Sequence, residues 1–429
     1  MNKEATYSMY VFSVALVMAT SAYFVKVNNA AILFMGISWL FASAPKDKWN
    51  NLMSNKWIFL PISYFAIHVV SMMLSENSSE AWMQVQKKLS FFILPIFLIT
   101  GPRLHKKALR SIFLLFGFSI ALGALFFLLN ALAVFTITGE TAHFFYHDLV
   151  SAYGIHAVYF SIYCILGIFA LLESATDPFF EWEDTYLYKT FLTGVFGIIT
   201  IVLFLLSSKM ALVAYSVLVL FRTAILLKSN FGVGGFSKWA WAALGLFIIT
   251  GMAIAAPKIT HRYQEITQNI SAVNQQQFTY DSPLNGLTLR LIIWNQVFEI
   301  VEKENAYLMG VGNGDGQDKL NEAYAAIGLY TGNPDLNDMG YLEYNPHNQY
   351  VQEYLNTGII GLAALLMLFV VGTLRAKTLA FLFFATMFVF GLASLSESVL
   401  QRQAGVVLFA TMLGIILSNS GRANKPLNN

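Results

Sequence analysis

Three side chains in this 429-residue sequence stand where their surroundings make them chemically conspicuous: His347, Arg290 and Lys209. His347 lies in YNPHNQYVQEYLNTGIIGL, residues 344–362, where a polar stretch passes into an apolar one. Asn345 is suited to cap a helix there, and Pro346 to take its first position, where a missing N–H costs nothing. That reading puts His347 in the first helical turn, at a water–membrane boundary. Free N–H groups and the helix dipole give the place a positive potential, which attracts phosphate and keeps an imidazole neutral. A neutral imidazole can take the proton from a hydroxyl as that hydroxyl attacks. An interfacial histidine that only hydrogen-bonds its own loop fits the same string, and spacing does not separate the two.

Arg290 belongs to LNGLTLRLIIWNQVFEIVEKENAYL, residues 284–308, with Trp294 one helical turn later, so guanidinium and indole share a face. A planar fork of donors suits a diphosphate better than an ammonium does. A solvated surface arginine is the plain alternative. Lys209 is the single charge in the run 191–221, at the junction of two short apolar segments. An ionisable group so close to hydrocarbon is a functional-site hypothesis by default, with snorkelling to the surface as its rival.

Weaker signals surround these. Tyr153, His156 and Tyr159 open another apolar segment, with His143 and His147 just before it. No His-x-x-x-His pair with a carboxylate shares a helix face, so no metal is expected. Glu397 and Arg402, in SLSESVLQRQAG, are expected to pair with each other. GVGNGDG at 310–316 has neither a preceding buried strand nor a following GK[ST], which makes it a turn rather than a nucleotide loop.

The elements that must position these residues are set by hydropathy. The chain is 57% hydrophobic and only 12% charged, with a mean hydropathy of +0.59, which assigns it to a bilayer. A net charge of +2, interrupted by apolar runs, excludes nucleic acid as a partner and leaves membrane lipid. The lone Cys164 can build neither a disulfide framework nor a cysteine zinc site within one chain. The apolar N-terminus has no obvious cleavage site and is read as a retained first span.

At about 20 apolar residues per crossing, roughly twelve spans are expected. They fall near 8–25, 29–44, 57–74, 86–100, 109–135, 155–173, 190–206, 209–227, 239–256, 350–374, 378–394 and 403–419. Lysines and arginines concentrate in the alternate loops that include Lys46, Lys48, Arg103, Lys106, Lys107, Arg375 and Lys377, which places both termini in the cytoplasm. The acidic loop at 173–189 falls on the same side and weighs little in that rule.

The expected fold class is therefore an all-α polytopic membrane protein. Its transmembrane helices 1–9 occupy 1–256, a mainly helical extracytoplasmic loop domain 257–349, helices 10–12 350–419, and a cytoplasmic tail 420–429. Within the loop domain, Leu289, Ile293, Val297 and Ile300 recur at helical spacing and predict an amphipathic helix.

The ordered set of motifs resembles the O-antigen ligase family, which also embraces O-antigen polymerases and bacterial O-linked oligosaccharyltransferases. The resemblance is carried by Arg290 with Trp294, Gly310 with Gly312 and Gly314, Pro346 to Asn348, and Gly358 with Gly361. GIHAVYF at 154–160 looks like the family's His-Pro-x-Tyr segment with Ala157 in place of proline. SSKMALVAY is similar to its Ser-Arg-Gly segment with Lys209 in place of arginine, which costs bidentate phosphate recognition.

The resemblance implies a GT-C-like glycosyltransferase that needs no cofactor, nucleotide sugar or metal. Such an enzyme takes a glycan from undecaprenyl diphosphate and transfers it, with inversion, to a hydroxyl of lipid A-core at the periplasmic face of the inner membrane. On that basis His347 and Arg290 are the catalytic candidates, and Lys209, Trp294, Asn348, His156 and Tyr159 are expected to bind diphosphate or glycan. The short loop at 136–153 leaves one dominant extracytoplasmic domain and favours a ligase over a polymerase; transfer to protein hydroxyls also fits the fold. A transporter would bury charges between helices and show two related halves, and the sequence does neither.

Overall fold

A computed structural model describes residues 2–176, 186–228, 284–333 and 338–420, with isolated positions between these stretches. The predicted span at 239–256 apart from Gly245, most of the polar segment 257–283, and the tail after 420 lie outside the described residues. The chain is helical, with one isolated bridge between Asn333 and Asp338 and no strand among the described residues.

The helices run in order α1 Lys3–Thr20, α2 Val25–Ala42, α3 Pro45–Ser54, α4 Phe59–Met73, α5 Ser78–Lys88 and α6 Ser90–Thr100. There follow α7 Lys106–Thr138, α8 Tyr146–Val150, α9 Ala157–Thr176, α10 Tyr186–Leu205 and α11 Lys209–Lys228. Later in the chain come α12 Gly286–Lys303, α13 Gly316–Ala326, α14 Gln349–Ala376, α15 Phe381–Ala393 and α16 Gln403–Ser420.

Among the described residues six helical stretches are long and apolar enough to cross a membrane: Val25–Ala42, Lys56–Met73, Lys106–Thr138, Ala157–Ser174, Lys209–Leu226 and Gln349–Ala376. Gly194–Leu205, Phe381–Ala393 and Gln403–Asn419 are apolar but shorter. The predicted span at 86–100 divides. Lys88 ends the amphipathic α5, and α6 has only 11 residues, about 17 Å of rise, too short to cross alone.

Glycines let the bundle close. Gly117 of α7 receives the Leu171 side chain of α9, and Gly167 of α9 the Ile120 side chain of α7, so the two helices approach closely. Gly414 of α16 likewise meets Leu98 of α6. As a result α9 is buried over nearly its whole length. A second apolar core joins α12, α13 and the first turns of α14, and Leu289, Ile293, Val297 and Ile300 all point into it. The amphipathic period read from the sequence is the seam of that core.

α14 is broken. Gly358 takes φ 63° and ψ −161°, so the helix 349–357 and the helix 359–376 are separate rods. The chain after α12 fills the break: Ile359 N donates to Tyr307 O at 2.9 Å and Ile360 N to Leu308 O at 3.3 Å. From the other side Val311 N and Gly312 N donate to the carbonyls of Leu355 and Asn356.

GVGNGDG forms the rest of this joint. Gly314 N donates to Ser75 Oγ, and the Asp315 carboxylate accepts from Glu76 N and Asn77 N at the α4–α5 connection. The glycine turn is therefore a backbone docking surface whose N–H groups are already engaged.

Any side chain at Gly358 collides with the Leu308 backbone and forces an L residue into left-handed φ. Gly358→Ala is expected to destabilise the protein by at least about 2 kcal/mol. Thermal unfolding of the purified protein in detergent checks this, with Gly194→Ala, where nothing lies within 4 Å, as the near-neutral control.

Candidate active site

The cap of α14 differs from the one expected. Asn348, not Asn345, accepts from the first N–H groups, those of Tyr350 and Val351 at 2.9 and 3.1 Å. His347 precedes the cap with φ 45°, outside the helix, because Asn345 Oδ1 is taken by the His347 N–H at 2.8 Å. A histidine in left-handed backbone is uncommon, and such conformations persist where the surroundings over-determine them.

Here they do. Trp294 Nε1 donates to Pro346 O at 2.7 Å, Asn348 Nδ2 to Leu395 O at 3.3 Å, and Ser398 Oγ to Asn345 Oδ1 at 3.3 Å. The loop is thus clamped between α12 and the turn 394–400.

That turn supplies the partner of His347. Nδ1 lies 3.3 Å from Glu397 Oε2, with the imidazole partly exposed and the carboxylate largely buried. A carboxylate on Nδ1 selects the tautomer that carries its proton there and leaves Nε2 as an acceptor. The expected pairing of Glu397 with Arg402 is corrected accordingly: the Arg402 guanidinium lies over the Tyr159 ring, 5.8 Å from its centre. The nearer imidazole with a matching donor has captured the carboxylate.

The two cations meet next door. α10 ends at Leu205, Ser207 turns with φ 52°, and α11 opens at Lys209 with Ser208 O accepting from Leu212 N. On α12, Asn285 caps the first turn through Leu287 N and Thr288 N and sets Arg290 one turn in. Arg290 and Lys209 line a single cavity of about 440 Å³ with Tyr146, Val158, Ser207, Ser208, Met210 and Ser396. Two cations beside the first turn of α11 give the cavity a positive character, and its volume is that of a small-molecule pocket. Ser396 belongs to this wall and is the chain neighbour of Glu397, so the cationic cavity and the histidine pair share one turn.

His156 and Tyr159 close the far side. The His147 ring stands 4.4 Å from that of His156 and 4.1 Å from that of Tyr146. Tyr159 is buried and its hydroxyl donates to Ser398 O at 3.0 Å, so it holds the Glu397 turn. Of the residues singled out in the sequence, Lys209 and Arg290 face the cavity, Trp294 and Asn348 fasten the histidine loop, and His156 and Tyr159 pack behind it. Tyr146 and Ser396 carried no signal in the sequence. Glu397 did, but was matched to the wrong partner.

Electrostatics follow from burial. Burial pushes the Glu397 carboxyl up, but the hydrogen bond and charge of His347, the charge of His156 and the Ser398 N–H outweigh it and hold the group below its ordinary value. Burial lowers the His156 imidazole to about 4, opposed by the Glu397 charge and reinforced by His147, Arg402 and His347. His156 is therefore neutral at physiological pH. Unfolding restores its ordinary value of 6.5, so the unfolded chain takes up the proton first. Stability is whole above about pH 6.5 and is lost as pH falls toward 4. Melting temperature in detergent, scanned across that window, should fall with acid, and His156→Gln should flatten the slope.

Among known proteins, the family model described as O-antigen ligase matches residues 194–366, a stretch that contains Lys209, Arg290, Trp294, His347 and Asn348. No curated protein matches the chain. The chain is thus a helical bundle of membrane-crossing length that is similar over residues 194–366, the stretch running through its cationic cavity and histidine loop, to the O-antigen ligase family.

Proposed function

We propose that this protein is an O-antigen ligase of the bacterial inner membrane. It transfers a glycan from undecaprenyl diphosphate to a hydroxyl of lipid A-core at the periplasmic face, without a metal or cofactor. The observation that carries the reading is the shared turn: Ser396 lines the cavity of Arg290 and Lys209 while Glu397 beside it holds His347.

The acceptor hydroxyl gives its proton to His347 Nε2 as its oxygen attacks the anomeric carbon. Glu397 stabilises the imidazolium that forms. The bond from that carbon to the diphosphate breaks on the opposite face, which inverts the centre. The departing charge is met by Arg290, Lys209 and the opening N–H groups of α11, fixed in place before reaction. A lipid-borne donor is consistent with the number of apolar helices. Both termini are assigned to the cytoplasm by the loop lysines and arginines, which puts residues 257–349 and the site in the periplasm. The GT-C-like count of about twelve spans is kept as part of this proposal.

With purified protein in lipid, His347→Ala is expected to lower transfer by about 10²- to 10⁴-fold and Arg290→Ala by about 10²- to 10³-fold, with normal insertion and folding. Lys209→Arg should retain activity and Lys209→Met lose it. In a strain lacking the gene, bare lipid A-core with long lipid-linked chains accumulating supports the ligase. A single repeat left on the core would instead make it a polymerase, and unglycosylated envelope proteins with normal glycolipid a protein-directed transferase.

A further inference from the structure

Beneath the site lies a buried polar chain that the reaction itself does not use. Tyr64, His68, Lys88, Gln349 and Glu353 are each at most 1% exposed. Glu353 Oε2 accepts from Tyr64 Oη at 3.0 Å and from Gln349 Nε2 at 3.2 Å. Its Oε1 accepts from Thr357 Oγ1 and lies 2.9 Å from His68 Nε2, at ion-pair distance though off the line of a hydrogen bond.

Gln349 passes this order on to the reacting groups. Its backbone N–H donates to Ser394 O at 2.8 Å, and its side-chain oxygen accepts from Leu400 N at 2.7 Å. One residue therefore ties both ends of the turn 394–400 that carries Glu397. Lys88 Nζ donates to Leu400 O at 2.6 Å, so both backbone groups of Leu400 are held by buried side chains. Desolvating a carboxylate and an ammonium is expensive, and apolar residues would pack this volume at lower cost. What a hydrogen-bonded polar network adds is a single geometry.

We propose that Glu353 is a positioning residue: through Gln349 it fixes the 394–400 turn, so that Glu397 meets His347 Nδ1 and Ser396 keeps its place in the cation wall. The inference rests on the proposed transfer reaction. A one-ångström error in such a pair costs rate rather than affinity, so the loss belongs in kcat.

The test is steady-state transfer by the full chain reconstituted in lipid, with undecaprenyl-diphosphate-linked glycan as donor and lipid A-core as acceptor. Glu353→Gln is expected to lower kcat about 10- to 100-fold with both KM values within about twofold. On a Glu397→Gln background, which keeps reduced turnover, the same change should cost less than about threefold, because the pair it positions is already gone.

Tyr64→Phe, which removes one hydrogen bond and leaves packing in place, should show a smaller loss of the same pattern and decides the matter if Glu353→Gln does not fold. An unchanged kcat in Tyr64→Phe and Glu353→Gln, a loss confined to KM, or an equal loss on the Glu397→Gln background would overturn the positioning role while leaving the transfer reaction standing. Full turnover by His347→Ala would overturn both.

Discussion

A helix cannot be broken inside hydrocarbon unless the groups it exposes find partners within the protein. At Gly358 those partners are the carbonyls of Tyr307 and Leu308 and the N–H groups of Val311 and Gly312, all from the segment that follows α12. The polar domain is thereby fastened to a membrane helix through its backbone. This joint sets α12 against the histidine loop, since α12 carries Arg290 into the cavity while its Trp294 holds Pro346. The glycines at 310, 312, 314 and 358 serve the same joint: each faces a neighbouring chain too close for a side chain.

Charge in the site is arranged by separation. Ser396 of the 394–400 turn lines the cavity of Arg290 and Lys209, while Glu397, the only carboxylate of that turn, is engaged by His347. A carboxylate facing the cations would neutralise the cavity. Paired with the imidazole it orients that ring. The neutral His156 behind them adds bulk without adding repulsion.

Much of the fold was legible because hydropathy and helical period are local signals. Leu289, Ile293, Val297 and Ile300 announced the seam of α12, and the apolar runs announced the long helices. The cap at Asn348 was missed because Asn345 and Asn348 are equally good caps in a string, and the difference lies in which carbonyl and hydroxyl groups approach from the turn at 394–400. The Glu397 pairing failed for the same reason: Arg402 is near in sequence and His347 is near in space. Glu353 and Lys88 overturn the expectation that no charge is buried between the helices: both stand within apolar stretches and both are at most 1% exposed.

The unequal lengths of the helices have a consequence for access. Phe113 of α7 packs against Phe383 near the start of α15, and Phe127 against Phe160 near the start of α9. From Phe127 α7 climbs 11 residues further to Thr138, about 16 Å, with Leu129, Leu132 and Ile137 bare on its outer face. On the proposed reading this bare apolar rim is what a lipid-borne donor meets on its way to the cavity. A carrier lipid can then slide in sideways without lifting its phosphates into water, and only the sugar nearest the phosphates descends. The remainder of the polymer trails outside, where its length goes unread.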